Sequence, residues 1–232
     1  MVARAEVSTG TVLVTGGASG LGRAVACAVQ DAGWRPVVLD RRPADGLEHE
    51  LVDLADGARA EAVVRDVAER SGGLFAVVTA AGIDACGPLE RVPREDWDRV
   101  VAVNLLGTAA VVRAALPSLL ESGGRIVTVA STLGLRALPD ASAYCASKFG
   151  VVGFSRALAL EMAGRVGVTL LVPGGMRTSF FDGRDPQYQP GPDAELNSPE
   201  DVAAAVVFAL RQPPGCEVRE LILTPSREPS WP

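Results

Sequence analysis

The chain has 232 residues, 48% of them hydrophobic, with a formal net charge of −6 and a single histidine. That length and apolar share suffice for a sizeable buried core, in one large α/β domain rather than two small ones. Acidic and basic residues are interspersed, so no basic stripe exists for a phosphate backbone, and nucleic acid is not expected as a partner.

No window approaches the ~20 uninterrupted apolar residues that span a bilayer. The segment Met1 to Gly10 carries Arg4 and Glu6 without an apolar signal-peptide core, so a cytoplasmic protein with no membrane partner is expected. Cys27, Cys86, Cys145 and Cys216 are scattered with no Cys-x-x-Cys pair, which argues against a metal site or a disulfide framework and for reduced core or pocket thiols. With one histidine, a Ser-His-Asp hydrolase would have to use His49, and no Gly-x-Ser-x-Gly elbow presents a serine to it. His49 reads as a solvated loop residue.

Along the chain, β-branched runs alternate with alanine-rich amphipathic stretches, the pattern of repeated βα units around a doubly wound parallel sheet. The strands expected are Thr11 to Thr15, Pro36 to Asp40, Glu50 to Leu54, Leu74 to Thr79, Arg125 to Ala130, Val166 to Val172 and Arg219 to Thr224. Most are continuously apolar, as strands covered on both faces must be. Helices are expected at Gly20 to Ala32, Gly57 to Ser71, Arg94 to Glu121, Ala141 to Ala163 and Pro199 to Arg211. The third contains Pro117 and should bend or restart there. Ser179 to Ser198 lacks a strong period but holds Phe180, Phe181 and Tyr188, which suggests a substrate loop.

Directly after the first strand comes Thr15-Gly16-Gly17-Ala18-Ser19-Gly20-Leu21-Gly22, followed by a helix. Strand, glycine turn and helix start make a pyrophosphate site, because glycine lets backbone approach the phosphates and the helix start offers free N–H groups. The loop lacks the Gly-Lys-Ser/Thr ending of an NTPase P-loop. Asp40 closes the second strand, where its carboxylate can accept from both ribose hydroxyls and repel a 2′-phosphate, which favours NAD over NADP. Arg41 and Arg42 act the other way, since a guanidinium can pair with a 2′-phosphate.

Tyr144 and Lys148 lie four apart on an expected helix and therefore share a face. A tyrosine ionising near about pH 10 is a poor base at neutrality, and a neighbouring ammonium should lower that value. The pair is then a general acid/base for a substrate oxygen. Ser131 ends the fifth strand, on the carboxyl side where open α/β sheets place ligands, and could bond the same oxygen; capping a turn is its alternative role.

With these marks in order over nearly the whole chain, the sequence resembles the short-chain dehydrogenase/reductase family. The matching residues are the Thr15 to Gly22 loop, Asp53, Ala81-Gly82, Asn104-Leu-Leu-Gly107, Ser131, Tyr144-Cys-Ala-Ser-Lys148 and Pro173-Gly-Gly-Met-Arg-Thr178. The resemblance implies a single Rossmann-like domain of about seven strands over residues 1–232. It implies hydride transfer between NAD and the carbinol or carbonyl carbon of a secondary alcohol or ketone, with Asn104, Ser131, Tyr144 and Lys148 as catalytic residues. Asp53 would receive the adenine amino group, Lys148 would also hold the nicotinamide ribose, and Asn104 would anchor a water in a proton relay. For Asn104 a helix kink is a compatible structural role. Thr178 would hold the carboxamide or a phosphate. Gly16, Ser19, Gly20, Leu21 and Gly22 would contact the cofactor, as would Asp40, Arg41, Asp53 and Leu54. So would Ala81, Gly82, Pro173, Gly174, Met176 and Thr178.

Two features depart from the family pattern. Thr79-Ala80-Ala81-Gly82 stands where Asn-Asn-Ala-Gly is usual, so bracing bonds are lost or supplied by Thr79, and the end runs Thr224-Pro225-Ser226 to Trp231-Pro232 without the usual Asp-Gly-Gly. The family also implies a homodimer or homotetramer through the helices at Arg94 to Glu121 and Ala141 to Ala163, and Trp231 would be an exposed aromatic that a partner subunit covers. Leu133, Leu138, Met176, Phe180 and Phe181 suggest an apolar substrate, whereas Arg136, Arg177 and Arg184 could receive an acid. A catalytically silent sensor of the same fold has no use for Tyr144 and Lys148 together. A nucleotide-sugar epimerase needs a separate substrate domain for which 232 residues leave little room.

Overall fold

Every residue of the first strand, β1 (Thr11–Thr15), is buried. Alternate side chains serve opposite faces: Leu13 joins one apolar cluster, Val12 and Val14 the other. The computed structural model describes residues 10–228 and 231, so Arg4 and Glu6 lie outside the described residues.

Around β1 run β2 (Arg35–Asp40), β3 (His49–Leu51), β4 (Ala76–Thr79), β5 (Arg125–Val129), β6 (Gly167–Pro173) and β7 (Glu220–Leu223). They form one seven-stranded sheet in the order β3-β2-β1-β4-β5-β6-β7, with every pairing parallel. On one face α1 (Gly20–Asp31) packs against α6 (Pro199–Leu210), burying Val25, Val29, Val202 and Val206. On the other lie α2 (Gly57–Arg70), α4 (Thr108–Ser122) and the end of α5 (Ser142–Glu161), through Val64, Val67, Val111, Ala115 and Leu158. Strand order reverses at β1, so the crevice beyond the carboxyl ends of β1 and β4 is where such a sheet takes a ligand.

β3 is shorter than expected. After Val52 donates to the Asp40 carbonyl, the Asp53 side chain accepts from the Ala55 amide and turns the chain toward α2. His49 opens this edge strand, half-buried, and is not a solvated loop residue.

The expected restart at Pro117 is absent, and α4 runs through it. Pro117 and Arg113 both lie on the solvent face, where water can take the carbonyl that proline leaves without a donor. The irregularity lies earlier, as a π-helical segment Ala102–Gly107 between α3 (Arg94–Val101) and α4. Gly107 sits there because a β-carbon would come within 2.8 Å of the Leu54 backbone oxygen. The whole helical run Arg94–Ser122 is long and apolar enough by composition to cross a membrane, yet Val111, Ala115 and Leu119 are fully enclosed in the core.

Among the cysteines, Cys145 is buried, Cys27 and Cys86 are half-buried, and Cys216 is exposed, so the expectation of core or pocket thiols fails for Cys216. Trp231 is half-buried within its own chain rather than exposed.

Candidate active site

The glycine loop leaves β1 in a conformation that only glycine carries well. Gly16 has φ of +74°, and a β-carbon on it would lie 2.7 Å from the Ala81 α-carbon. One on Gly22 would strike the Gly16 carbonyl, which fixes how closely α1 approaches the loop. Ser19 caps α1 without a side-chain capping bond, and no acidic residue stands in the first turn. These amides and the positive end of the helix suit a pyrophosphate.

Asp40 is partly engaged. Its carboxylate accepts from the Ala18 amide at 3.0 Å and from the Arg42 amide at 3.0 Å, tying the tip of β2 to the glycine loop. Each oxygen keeps a second lone-pair site, so ribose hydroxyls can still donate to it. The Arg42 guanidinium reaches back to donate to Ser19 Oγ at 2.9 Å. Asp53 pairs with Arg99 at 2.6 Å. Burial opposes its ionisation, but the Arg99 and Ala55 hydrogen bonds and the charges of Arg99 and Arg41 prevail, and its pKa is lowered.

On the other side of the crevice, Lys148 is buried and its Nζ donates to the Val129 carbonyl at 2.9 Å. Burial pulls its pKa down to about 8, against the supporting charge of Asp84. Tyr144 sits one turn earlier, its ring centroid 5.6 Å from that Nζ, and its hydroxyl is hydrogen-bonded to Ser131. Its pKa is raised, first by burial and then by Asp84, with Ser131 and Arg184 opposing. The expected lowering by the lysine is therefore not met in the protein alone, because enclosure outweighs an ammonium at that distance. Ser131 also accepts from the Leu133 amide at 3.1 Å, so it caps the turn Thr132–Gly134 while facing Tyr144.

Asn104 is fully buried and clamps the loop after β4, accepting from the Ile83 amide at 2.8 Å and donating to the Ile83 carbonyl at 2.9 Å. Its second amide hydrogen goes to Ser147 Oγ at 3.0 Å. A β-carbon on Gly82 would lie 3.6 Å from both Asn104 Oδ1 and Lys148 Nζ, so the two side chains converge there.

One cavity of about 800 Å³ is lined by every expected cofactor residue, from Gly16 through Asp40 and Asp53 to Thr178, and by Ser131, Tyr144 and Lys148. Asn104 stands behind the wall. Leu133, Leu138, Met176, Phe180, Phe181 and Arg184 also line it, whereas Arg136 and Arg177 do not.

Several lining or supporting groups carry no motif. Asp84 follows Ala81-Gly82-Ile83, Arg99 is the partner of Asp53, and Glu228 accepts from the Gly175 amide at 2.9 Å. Ser147 was legible in part, since it adjoins Lys148. Thr79 supplies no bracing: its buried hydroxyl has no hydrogen-bond partner among the described residues. Thr15 does so instead, accepting from the Ala81 amide at 3.1 Å.

Residues 10–189 match the family profile described as short chain dehydrogenase. The chain belongs to the short-chain dehydrogenase family. A D-threitol dehydrogenase of Mycolicibacterium smegmatis is 37% identical, with 84% of each chain covered. A D-beta-hydroxybutyrate dehydrogenase of Rhizobium meliloti is 33% identical over 77% of this chain and 76% of the relative. The solved alcohol dehydrogenase of Thermococcus sibiricus, complexed with 5-hydroxy-NADP, superposes with a TM-score of 0.82 at 27% identity, covering 92% of this chain and 95% of that one. As a family member, the chain is an oxidoreductase acting on a CH–OH group with a nicotinamide dinucleotide.

Proposed function

We propose that the protein is an NAD-linked dehydrogenase of small secondary alcohols, or reductase of the matching ketones, with Tyr144 as its general acid/base. The observation that carries this is the shared cavity: Tyr144, Ser131 and Lys148 face the same space as the glycine loop and Asp40. Backbone cradle, uncapped helix start and ribose-facing carboxylate fit a dinucleotide, which when bound supplies or accepts the hydride and, oxidised, adds a positive charge.

In reduction the Tyr144 hydroxyl donates its proton to the substrate oxygen, and in oxidation the Tyr144 phenolate takes the proton of the substrate hydroxyl. The raised pKa of Tyr144 suits the donor role. Ser131 holds the same oxygen toward Tyr144. Lys148 places its ammonium beside the tyrosine ring and would hold the nicotinamide ribose of a bound dinucleotide, and Asn104, behind the cavity wall, would anchor a water in the proton relay. Asp40 supports NAD, while Arg41 and Arg42 stand ready for a 2′-phosphate once that carboxylate is removed.

The whole chain would act as one dinucleotide-binding and catalytic domain, with 179–198 as its substrate loop. Thr178 and Phe180 start that loop inside the cavity, and Tyr188 donates to Asp140 at 3.1 Å farther along. A homo-oligomer through α4 and α5 is supported by the exposed apolar side chains Leu106, Phe149 and Leu160. The four free thiols support a reducing, cytoplasmic setting. Following nucleotide reduction with a panel of secondary alcohols tests the reading; an absence of turnover with all of them and with their ketones would remove it.

A further inference from the structure

The cavity holds a charged pair that neither the dinucleotide nor the Tyr144 chemistry requires. Asp84 comes from the loop after β4 and Arg184 from the segment after the turn Ser179–Phe181; Arg184 Nη2 lies 3.2 Å from Asp84 Oδ2. Their side chains are only 7% and 15% exposed, so both charges have largely left water. The guanidinium lies over Phe180 and Phe181, 4.5 and 4.7 Å from the ring centroids, and the Phe180 ring stands 5.6 Å from that of Tyr144. Asp84 acts electrostatically on both Tyr144 and Lys148, which puts the pair beside the reacting end of the cavity.

Its hydrogen bonding is incomplete. Asp84 accepts from the Ala85 amide at 2.7 Å and the Cys86 thiol at 3.2 Å, and Arg184 Nη2, though buried, makes no well-directed hydrogen bond. A buried donor left so calls for an acceptor.

From this we infer that Asp84 and Arg184 are the specificity-determining pair of the substrate pocket, and that they read a second hydroxyl next to the reacting carbinol of a neutral diol or polyol. A hydroxyl both donates and accepts, so it can accept from Arg184 while donating to Asp84 and leave the ion pair intact. A carboxylate only accepts: it would gain Arg184 but meet the Asp84 charge. An apolar group would seal the pair from water with Arg184 Nη2 still without a well-directed hydrogen bond. The Phe180 and Phe181 faces then pack the carbon skeleton rather than define an apolar site.

This inference rests on the alcohol dehydrogenase reading. Its test compares kcat/KM for NAD-dependent oxidation of three matched probes: butan-2-ol, butane-2,3-diol and 3-hydroxybutyrate. The diol is expected to exceed each of the others by about tenfold or more, the scale of one hydrogen bond to a charged group. Asp84→Asn should bring the diol-to-monoalcohol ratio close to one and improve 3-hydroxybutyrate relative to the diol. If Asp84→Asn does not fold, Arg184→Met on the loop carries the same test of the ratio. Butan-2-ol or 3-hydroxybutyrate as the best wild-type substrate overturns the inference, as does an unchanged ratio in a folded variant; the dehydrogenase reading survives both. Turnover of none of the three while other secondary alcohols of the panel are oxidised overturns the inference alone; an absence of turnover across the whole panel and its ketones removes that reading and the inference together.

Discussion

Lys148 Nζ donates to the main-chain carbonyl of Val129, two residues before Ser131, so α5 and the end of β5 are joined at the point where the reacting groups meet. Among the described residues no carboxylate is in contact with this ammonium, which stands 5.6 Å from the Tyr144 ring centroid one turn away. Replacing Lys148 by Met should lower turnover by about two orders of magnitude or more, the scale of disabling an acid/base group. Lysine's charge, and not its volume, is at issue, so rapid-mixing kinetics of the folded variant is the measurement; near wild-type turnover would contradict the role.

Lys148 also makes pH act in opposite directions on stability and on reduction. Its pKa falls from 10.5 to about 8 on folding. Below about pH 8 the group is protonated in both states and burial of its charge costs stability; between about 8 and 10.5 the unfolded chain holds more protons, so stability rises with pH. Reductive kcat/KM should fall over the same range as the ammonium is lost. Urea denaturation at pH 7 and pH 10 should show a smaller gain in Lys148→Met than in wild type. Equal gains would show that other groups set the dependence.

The two threonines at the β1–β4 edge should behave oppositely. Thr79→Val removes a buried hydroxyl with no partner and should change stability by about 1 kcal/mol or less, toward stabilisation. Thr15→Val strips the Ala81 amide of its acceptor and should cost about 1–3 kcal/mol. Chemical denaturation of both variants checks this; a larger loss at Thr79 would reverse the assignment of the brace.

Cofactor choice turns on Asp40. Wild type should prefer NAD in kcat/KM, and Asp40→Ser should narrow or invert the preference by freeing Arg41 and Arg42 for a 2′-phosphate. Because Asp40 also holds the Ala18 and Arg42 amides, Asp40→Asn serves as the partner variant that removes charge while keeping an acceptor. A wild-type preference for NADP, or a ratio unmoved by both changes, would show that the arginines decide.

The parallel sheet was legible because continuous apolar runs such as Val37-Val38-Leu39 have only one setting, a strand covered on both faces, and six of the seven strands were read with small shifts at their ends, the shortened β3 being the exception. The cavity-lining motifs were legible because each depends on a local constraint: glycine where a β-carbon would strike Ala81 or Gly16, and Tyr144 and Lys148 one turn apart. What escaped depends on distant contacts. Nothing adjacent to Arg184 announces Asp84, a hundred positions earlier in the chain, and nothing near Asp53 announces Arg99. Pro117 misled because helix tolerance of proline depends on which face it occupies, whereas the irregularity at Asn104, expected as a helix kink, is present as the π segment Ala102–Gly107. The Tyr144 shift escaped for a similar reason, since spacing shows the lysine but not the enclosure.

The central claim is that the Tyr144 hydroxyl moves the proton while other residues bind and orient. Turnover and dinucleotide affinity measured side by side for wild type and Tyr144→Phe test it most directly, because the substitution deletes one oxygen and keeps the ring that packs on Phe180. The variant should bind dinucleotide within about a factor of three of wild type and lose about two to four orders of magnitude in kcat. Near wild-type kcat in the folded variant would contradict the account.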